Sequence, residues 1–448
     1  MNQDYSESLR PQFHFTAKTG WLNDPNGLVY YKGNYHMFFQ HNPSGTEWGN
    51  MTWGHATSPD LIHWTQVPNA IEPDEDGTVF SGSAVVDWHN STGFQAGKDP
   101  AMVAIYTCAG DTSPESKGKP YTQNLACSTD GGKTWHKYSG NPILPQVAPG
   151  NRDPKVCRYE PKQEWVMALY FEGNDFGIFT SRDLKSWTQT QRFRFDGADE
   201  CPDFFELPVE GTSERRWVYT SASGRYLVGT FDGAEFKPDQ APLEMDQGPN
   251  FYAVQTYSDI SPRDGRRIQV AWMRGGEYAD MPFNQQMGFP CKLTLHRNGS
   301  AFLIHREPVK EIAKIRGASL SRGSQALTPS DDVLDGLIGD LWDLEFDVEI
   351  GTAERVVLSV RGRTFEYVVD AQTLIDGDRE VRLEAANGHL RVRALIDRTS
   401  VELFANAGAF SYSACHVPKD DNHRLSLTVQ GGSAKLKSLK LWPLASAW

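Results

Sequence analysis

The chain has 448 residues, of which 39% are hydrophobic and 12% aromatic, and its net charge is −13. This composition predicts a globular protein of two domains, or of one large and one small domain, and excludes a disordered chain. No basic run interrupts the acidic composition, so we expect no binding to nucleic acid or to an anionic membrane surface. A neutral substrate such as a sugar meets no electrostatic penalty.

Targeting and redox signals are sparse. No apolar run approaches the roughly 20 residues of a membrane span, and residues 1–13 lack the apolar core of a signal peptide. The protein is therefore expected to be cytoplasmic if Met1 is native, and extracellular or periplasmic if a signal peptide has been removed. The six cysteines have no metal-binding spacing, so we expect small core residues, no metal site and no disulfide framework. They are Cys108, Cys127, Cys157, Cys201, Cys291 and Cys415.

Near the N-terminus, the segment Trp21–Gly27 (WLNDPNG) predicts a tight turn between two strands. Pro25 removes a backbone donor, and the Asn-Gly pair after it accepts the positive φ of a turn. Strand-like runs flank the segment at Phe13–Phe15 and Leu28–Tyr31. The carboxylate of Asp24 would then lie at a rigid strand end, either as a catalytic group or as a turn cap.

From about residue 12 to residue 300, short β-runs alternate with Gly, Pro, Asn and Asp. Many short strands predict a sandwich, a barrel or a propeller. A weak repeat, Ser-x-Asp followed by Trp, favours the propeller because it recurs after β-runs at blade-length intervals. Its copies are Ser58–Trp64, Ser128–Trp135 and Ser181–Trp187. They could also be three unrelated turns that Asp caps.

The pattern changes at Glu307–Ile315, a short amphipathic segment that we interpret as a helical linker. Alternating strands follow, among them Trp342–Val348 and Arg355–Val360, and this period of two predicts an antiparallel β-sandwich. The chain is therefore expected to be all-β, with a propeller in residues 1–306, a linker in residues 307–320 and a sandwich in residues 321–448.

Three acidic residues share one context: Asp24, Asp153 and Glu200 each precede a proline, directly or by one residue, and each opens a strand. In a propeller the inner strands of successive blades converge on one axial funnel, so three acids from three blades could face one pocket. Each acid taken singly could instead be a surface ion pair or a solvated side chain.

The motifs WLNDPNG, RDP and ECPD, in this order, resemble glycoside hydrolase family 32, the β-fructosidases that include invertases, inulinases and levanases. The resemblance covers nearly the whole chain. Further segments follow the family pattern, namely Tyr35–Pro43, Trp53–Ser58, Phe80–Ala84, Asn250–Ala253 and Asp397–Asn406. The family implies a five-bladed β-propeller followed by a β-sandwich, and a retaining mechanism.

The resemblance also implies roles. Asp24 would be the nucleophile, Glu200 the acid/base and Asp153 the transition-state stabiliser, with the nucleophile and the acid/base about 5 Å apart. A nearby carboxylate such as Asp24 would help Glu200 to stay protonated. The pocket wall would be aromatic, with hydrogen-bonding residues between the rings: Trp48, Phe80 and Trp272, with Asn23, Gln40, Ser81 and Arg152. Each aromatic could instead be a core residue, Trp272 above all, and Gln40 could simply bond to backbone.

Three segments depart from the family pattern, at Asn151, at Met287–Pro290 and at His305-Arg306, and each could change the pocket rim. We favour an exo-acting fructan β-fructosidase that releases terminal β-D-fructofuranosyl units from levan and inulin, and also from sucrose. An invertase and a fructosyltransferase are the alternatives within the family. No nucleotide, flavin or metal motif is present, so no cofactor is expected.

Two readings lie outside that family activity. The segment Ser128–Trp135 fits the repeated box of sialidase propellers, but an anionic substrate needs an arginine cluster that this acidic chain does not show. A non-catalytic carbohydrate-binding protein on the same fold is the second reading, and the presence of all three acids argues against it. Oligomeric state and linkage preference are not encoded in any pattern found.

Overall fold

The computed structural model describes residues 5–419 and 422–448, and strands dominate it. Five sheets form the N-terminal part of the chain, and two further sheets form the C-terminal part. The predicted all-β fold, a five-bladed β-propeller followed by a β-sandwich, is confirmed. In the described ranges, no helix has the length and apolar character needed to cross a bilayer.

Each blade is an antiparallel sheet whose first strand is innermost. Blades 1 to 3 comprise β1 (Gly20–Tyr31), β2 (Asn34–Asn42), β3 (Thr52–Ser58), β4 (Thr65–Ile71), β5 (Thr78–Val86), β6 (Met102–Ala109), β7 (Tyr121–Ser128), β8 (His136–Lys137), β9 (Arg152–Tyr159), β10 (Glu164–Glu172), β11 (Asp175–Ser181) and β12 (Thr188–Arg194). Blades 4 and 5 comprise β13 (Asp203–Pro208), β14 (Arg215–Thr220), β15 (Arg225–Phe231), β16 (Phe236–Pro238), β17 (Leu243–Glu244), β18 (Tyr252–Thr256), β19 (Arg267–Trp272), β21 (Cys291–Asn298) and β22 (Ala301–Pro308). Between β19 and β21 the chain forms β20 (Phe283–Asn284), which belongs to the sheet of blade 1. A 3-10 turn at Glu160–Lys162 links β9 to β10.

The inner strands close a ring around the propeller axis. Strand β1 contacts β5, β5 contacts β9, β9 contacts β13, β13 contacts β18, and β18 contacts β1 again. Strand β20 leaves the region of blade 5 and pairs in parallel with β1, where Gly20 lies opposite Phe283. This pairing ties the last blade to the first, and the ring places the starts of all inner strands at one end of the axis.

Apolar layers between neighbouring blades hold the ring together. Between blades 1 and 2, for example, Phe38 and Trp53 pack against Val79, Ala84 and Tyr106, and all five are essentially inaccessible to water. Each such side chain contributes about 1.5–3 kcal/mol of transfer free energy when fully buried. Because both partners of every layer come from adjacent blades, no blade can bury its faces alone.

The Ser-x-Asp repeat is a shared turn between the third and fourth strands of blades 1 to 3. In the first copy the Ser58 hydroxyl donates to Asp60, whose carboxylate accepts from backbone N–H groups of the turn. The indole N–H of Trp64 donates to a backbone carbonyl within the same turn. The other two copies, Ser128–Trp135 and Ser181–Trp187, make the same bonds. The repeat therefore follows from the blade architecture, and the interpretation as unrelated turns is wrong.

Two local predictions near the N-terminus are wrong. Phe13–Phe15 is not a strand, because its backbone bends so that consecutive N–H groups bond to one carboxylate of the sandwich, that of Asp397. Trp21–Gly27 is not a turn but part of β1, which continues with two register shifts against β2. Gly27 takes the positive φ, +53°, inside the strand. Pro and Gly serve a bulge as readily as a turn.

The sandwich consists of two antiparallel sheets packed around one apolar core. Its strands are β23 (Leu320–Arg322), β24 (Gln325–Leu327), β25 (Trp342–Glu349), β26 (Arg355–Val360), β27 (Arg363–Val368), β28 (Thr373–Asp376), β29 (Arg379–Arg382), β30 (His389–Asp397), β31 (Ser400–Ala405), β32 (Phe410–Cys415), β33 (Leu425–Gln430) and β34 (Ala434–Pro443). A 3-10 helix, Lys310–Ile315, precedes them and buries Ile312 and Ile315. The boundaries at residues 306 and 320 stay predictions.

A buried charged cluster joins the two domains. The carboxylate of Asp397 accepts from the backbone N–H groups of Gln12, Phe13 and His14 and lies 2.9 Å from His14 Nδ1. The other ring nitrogen of His14 lies 2.7 Å from Glu402. Burial would lower the pKa of His14, but the hydrogen bonds to the two carboxylates outweigh it and raise the pKa to about 9.

The protonated His14 therefore stabilises the domain junction. Because its pKa rises from 6.5 to about 9 on folding, its contribution is complete below pH 6.5 and is lost as the pH rises through 9. We expect the free energy of unfolding, measured by urea titration between pH 6 and pH 9.5, to fall by about 3 kcal/mol from this group. In His14→Gln this fall of about 3 kcal/mol should be missing. An equal dependence of the free energy of unfolding on pH in both proteins would contradict the prediction.

Candidate active site

One cavity opens at the axial end where the inner strands begin. Its volume is about 260 Å³, and it is lined by Asn23, Asp24, Gln40, Trp48, Phe80, Ser81, Arg152, Asp153, Glu200, Tyr252, Trp272 and Arg274. All ten residues proposed from the sequence lie in this one cavity, together with two that were not proposed. Their individual roles stay predictions.

The three acids reach the cavity because each lies at the start of an inner strand. Asp24 is in the irregular first half of β1, Asp153 is the second residue of β9, and Glu200 lies just before β13. The backbone is left-handed at Asp153, with φ of +64°, and at Cys201, with φ of +51°. Non-glycine residues adopt this conformation at a cost, and such strain concentrates at functional sites.

Asp24 is held by donors from blades 1 and 2. Its Oδ2 accepts a 2.5 Å hydrogen bond from the Ser81 hydroxyl, and its Oδ1 accepts from the amide of Asn23 at 3.0 Å. The amide oxygen of Asn23 is itself fixed by the indole N–H of Trp21. Burial and the negative charge of Glu200 raise the pKa of Asp24, while these hydrogen bonds oppose the rise.

Asp153 lies deepest of the three acids and is buried. Its backbone N–H donates to the hydroxyl of Thr107, which fixes the left-handed residue against blade 2. Its Oδ2 accepts from the backbone N–H of Cys201 at 3.2 Å and lies 3.7 Å from Nε of Arg152. Burial, with the charges of the other two acids, raises the pKa of Asp153 to about 7 although Arg152 opposes it.

Two residues donate hydrogen bonds to Glu200. Nε and Nη2 of Arg152 donate to its Oε2 at 2.9 and 2.7 Å. The hydroxyl of Tyr252 donates to its Oε1 at 3.0 Å. The sequence predicted only that Asp24 would help Glu200 to stay protonated, and this stays a prediction; the direct contacts of Glu200 are with a guanidinium and a phenol. All three bonds use Glu200 as an acceptor.

Cys201 was interpreted from the sequence as a small core residue, and it is buried, but it also belongs to the site. Its thiol lies 3.4 Å from an oxygen of Asp24 and 3.4 Å from an oxygen of Asp153. One thiol is therefore within hydrogen-bonding distance of both carboxylates. Burial and the neighbouring acids raise the pKa of Cys201 well above its usual range, so it remains a neutral donor.

Aromatic rings form the wall as predicted, but with different exposure. Trp48 is 56% exposed at the rim and meets the edge of Phe80, with 6.0 Å between the ring centroids. Trp272 lines the cavity from a nearly buried position, where its indole N–H donates to Gln285. Gln40 lines the cavity and its amide donates to the backbone carbonyl of Val79, so the predicted backbone bond is present and the predicted binding role stays a prediction.

Two further lining residues, Tyr252 and Arg274, were missed. Tyr252 lies in the segment Asn250–Ala253, which the resemblance had already marked, so a signal existed. Arg274 comes two residues after Trp272, and only its place in space indicates a role. The three departures from the family pattern, at Asn151, Met287–Pro290 and His305-Arg306, are not among the lining residues.

In the described ranges, no group of three or more His, Cys, Asp or Glu side chains is arranged to hold a metal ion. The chemistry of the cavity is that of carboxylates with donors around them. Such a set suits nucleophilic and acid/base catalysis at a glycosidic bond. The fold and the site together therefore define a glycosidase-like protein with its pocket on the propeller axis.

Comparison with known proteins agrees with this class. Residues 14–305 match the glycosyl hydrolases family 32 N-terminal domain, and residues 311–443 match the C-terminal part of the same family. The chain is 38% identical to a levanase of Bacillus subtilis, over 99% of this chain and 72% of the relative. It is 30% identical to an extracellular exo-inulinase of Aspergillus niger, over 99% of this chain and 96% of the relative.

Solved structures give the same result. The exo-inulinase of Aspergillus awamori superposes with a TM-score of 0.89 at 28% identity, over 99% of this chain and 100% of that one. The fructofuranosidase of Schwanniomyces occidentalis complexed with fructose superposes with a TM-score of 0.88 at 27% identity, over 100% of both chains. The chain belongs to glycoside hydrolase family 32.

The raised pKa of Asp153 predicts a cost in stability. Because the pKa rises from 3.8 to about 7 on folding, the ionised carboxylate destabilises the fold increasingly between these pH values. Asp153→Asn removes the charge, keeps an acceptor for Cys201 and tolerates the positive φ. We expect its melting temperature at pH 7.5 to exceed that of the wild type by about 2 °C or more.

The gain in melting temperature of Asp153→Asn should shrink towards pH 4.5, where Asp153 of the wild type is protonated. Asp153→Ala is the matched control, since it removes the charge but leaves the N–H of Cys201 without its acceptor. Calorimetry at both pH values measures the effect. A gain of equal size at pH 4.5 and pH 7.5 would contradict the electrostatic origin.

Proposed function

We propose that the protein is a retaining, exo-acting β-fructosidase that releases terminal β-D-fructofuranosyl units from levan and inulin, and also from sucrose. The observation that carries the proposal is the convergence of Asp24, Asp153 and Glu200 in one cavity whose lining matches the residues implied by the family. The relatives named levanase and exo-inulinase favour fructans over sucrose as the main substrates.

In the first step, an oxygen of Asp24 attacks the anomeric carbon C2 of the terminal fructosyl unit. The hydrogen bonds from Ser81 and Asn23 fix the direction of that carboxylate. As the glycosidic C–O bond breaks, Glu200 transfers a proton to the leaving oxygen, so the leaving group departs as an alcohol. The products of this step are a fructosyl ester on Asp24 and an ionised Glu200.

In the second step, the ionised Glu200 takes a proton from water, and the water oxygen attacks C2. The ester bond to Asp24 breaks and its carboxylate is restored. The proton that Glu200 takes from this water restores the form in which it began the cycle. Entry of the sugar supplies hydroxyls that compete with Glu200 for Arg152.

Asp153 is proposed to anchor the fructosyl ring. Its buried position beside Arg152 presents a carboxylate to ring hydroxyls, and these hydrogen bonds strengthen as positive charge develops at C2. The raised pKa of Asp153 means that a hydroxyl donor is a favourable partner for the ionised form.

The small cavity supports exo action. Its volume of about 260 Å³ suits one sugar ring, whereas an endo enzyme needs a groove that continues on both sides of the cleaved bond. A fructosyltransferase would use the same first step with a sugar in place of water, and no contact among the described residues favours it.

The two catalytic roles predict different defects. Asp24→Asn should abolish turnover of every substrate, and Glu200→Gln should lower kcat on sucrose by about 10³-fold. β-Fructosyl fluoride needs no general acid, because fluoride leaves as an anion. With this substrate, Glu200→Gln should form the fructosyl ester on Asp24 quickly and hydrolyse it slowly. Mass spectrometry of the quenched protein should then find one hexosyl unit on Asp24.

Exposed acids provide matched controls, Asp196→Asn and Glu160→Gln, each far more accessible than the acid that it mimics. Both controls should keep wild-type activity. A covalent adduct on a residue other than Asp24, or full activity of Glu200→Gln on sucrose, would overturn the assigned roles.

Exo action predicts the order of products. Chromatography of early time points should show free fructose from levan and inulin without short oligosaccharides, and equal amounts of glucose and fructose from sucrose. Oligosaccharides at early times would indicate endo cleavage, and turnover of sucrose alone would indicate an invertase. An inactive but sugar-binding wild type would indicate the carbohydrate-binding protein instead.

A further inference from the structure

Arg274 differs from the other charged residues of the cavity. Arg152 and Glu200 bond to each other, and Asp24 and Asp153 are held by donors. Arg274 lines the same cavity, is exposed, and has no carboxylate within ion-pair distance among the described residues. A guanidinium carries five N–H donors, so this side chain offers unused donors at the mouth of the pocket.

The guanidinium of Arg274 is nevertheless placed by its neighbours. It lies over the ring of Tyr252, 4.6 Å from the centroid, and 5.9 Å from the ring of Trp272. A cation over an aromatic ring is attracted by the ring, which holds the guanidinium at this place and leaves its N–H groups available for hydrogen bonds. The side chain is therefore oriented without being neutralised.

Hydrogen bonds hold the backbone at Arg274 on both sides. The amide of Asn250 donates to the carbonyl of Arg274 at 2.6 Å and accepts from the N–H of Cys415 in the sandwich at 2.8 Å. On the propeller side, Gln285 accepts from the N–H of Gly275 at 3.2 Å. A residue on an anchored segment can act as a fixed recognition group, since little further ordering is needed on binding.

One residue, Tyr252, connects Arg274 to Glu200. The ring over which Arg274 stacks belongs to Tyr252, whose hydroxyl donates to Glu200, and both residues come from blade 5. Asn23 and Ser81, which donate to Asp24, come by contrast from blades 1 and 2. In a retaining mechanism the nucleophile and the acid flank the anomeric carbon, so the leaving group departs beside the acid.

We propose that Arg274 binds hydroxyls of the leaving-group sugar, the unit attached to the departing oxygen, and so sets the preference among sucrose, inulin and levan. The proposal rests on the proposed function, because it takes Glu200 as the acid. Glucose, a 1-linked fructose and a 6-linked fructose present their hydroxyls in different places, and a fixed fork of donors distinguishes them better than a flexible one.

The test compares substrates with and without a sugar leaving group. Arg274→Ala should lower kcat/KM about 10- to 100-fold for at least one of sucrose, 1-kestose and levan, and by clearly different factors among them. For methyl β-D-fructofuranoside, whose methanol leaving group offers no hydroxyl to Arg274, kcat/KM should stay within about 2-fold of the wild type. Arg274→Lys should recover only part of the loss, because it keeps the charge but not the fork.

Arg182→Ala is the matched control, an exposed arginine of blade 3, and it should leave all four substrates unaffected. An equal loss on methyl fructoside and on the sugar substrates, or a pH profile shifted for all of them, would show that Arg274 acts through Glu200 and would overturn the proposal. No loss on any substrate would overturn it too. A wild type that cleaves none of the four would instead reject the proposed function, and this inference with it.

Discussion

The crowding of three carboxylates in one small, partly buried cavity is the constraint on which the site depends. Like charges at this spacing repel, and burial removes the water that would screen them. The chain meets this with donors placed around each acid: Ser81 and Asn23 on Asp24, Cys201 on Asp153, and Arg152 with Tyr252 on Glu200. The compensation is incomplete, as the raised pKa values of Asp24 and Asp153 indicate.

A propeller suits this constraint because it supplies each acid from a different strand. The inner strands form a closed ring, and none of them has to carry more than one of the acids. Each acid is fixed by its own blade through the apolar layers between blades, so electrostatic repulsion cannot push one acid aside without moving a packed sheet. The sandwich contributes by bracing the junction of blades 5 and 1, where Phe404 and Leu395 join the apolar cluster that contains Leu22 of β1.

Sequence reasoning could find the fold class and the acids because both are carried by local signals. Proline next to an acid at a strand start, and a serine–aspartate turn followed by tryptophan, are visible in a few residues. The bulged course of Trp21–Gly27 was not predictable, since Pro and Gly mark bulges and turns alike. The hydrogen bond from Tyr252 to Glu200 joins blade 5 to the start of blade 4. No local sequence pattern predicts such a contact between blades.

The same limit explains Phe13–Phe15 and Cys201. The aromatic-rich triplet Phe13–Phe15 has the composition of a strand. Its N–H groups, however, donate to the carboxylate of Asp397, which is distant in the sequence. A lone cysteine reads as core, and its burial agrees with that interpretation, but the two carboxylates within reach of its thiol come from blades 1 and 3. Contacts made by the tertiary structure, rather than by sequence neighbours, decide the role of both.

Two of the buried acidic clusters in the described part of the chain differ in a way that has a physical meaning. At the domain junction, His14 stands between Asp397 and Glu402, and each ring nitrogen has a carboxylate partner. A cluster satisfied in this way has no bonding capacity left for a ligand, so it serves the fold. On the axis, the guanidinium of Arg152 bonds directly to only one of the three acids, Glu200, and the other two have raised pKa values. Natural cores do not keep such an imbalance for stability, so the imbalance itself marks the axial cavity as the place where a polar ligand completes the hydrogen bonding.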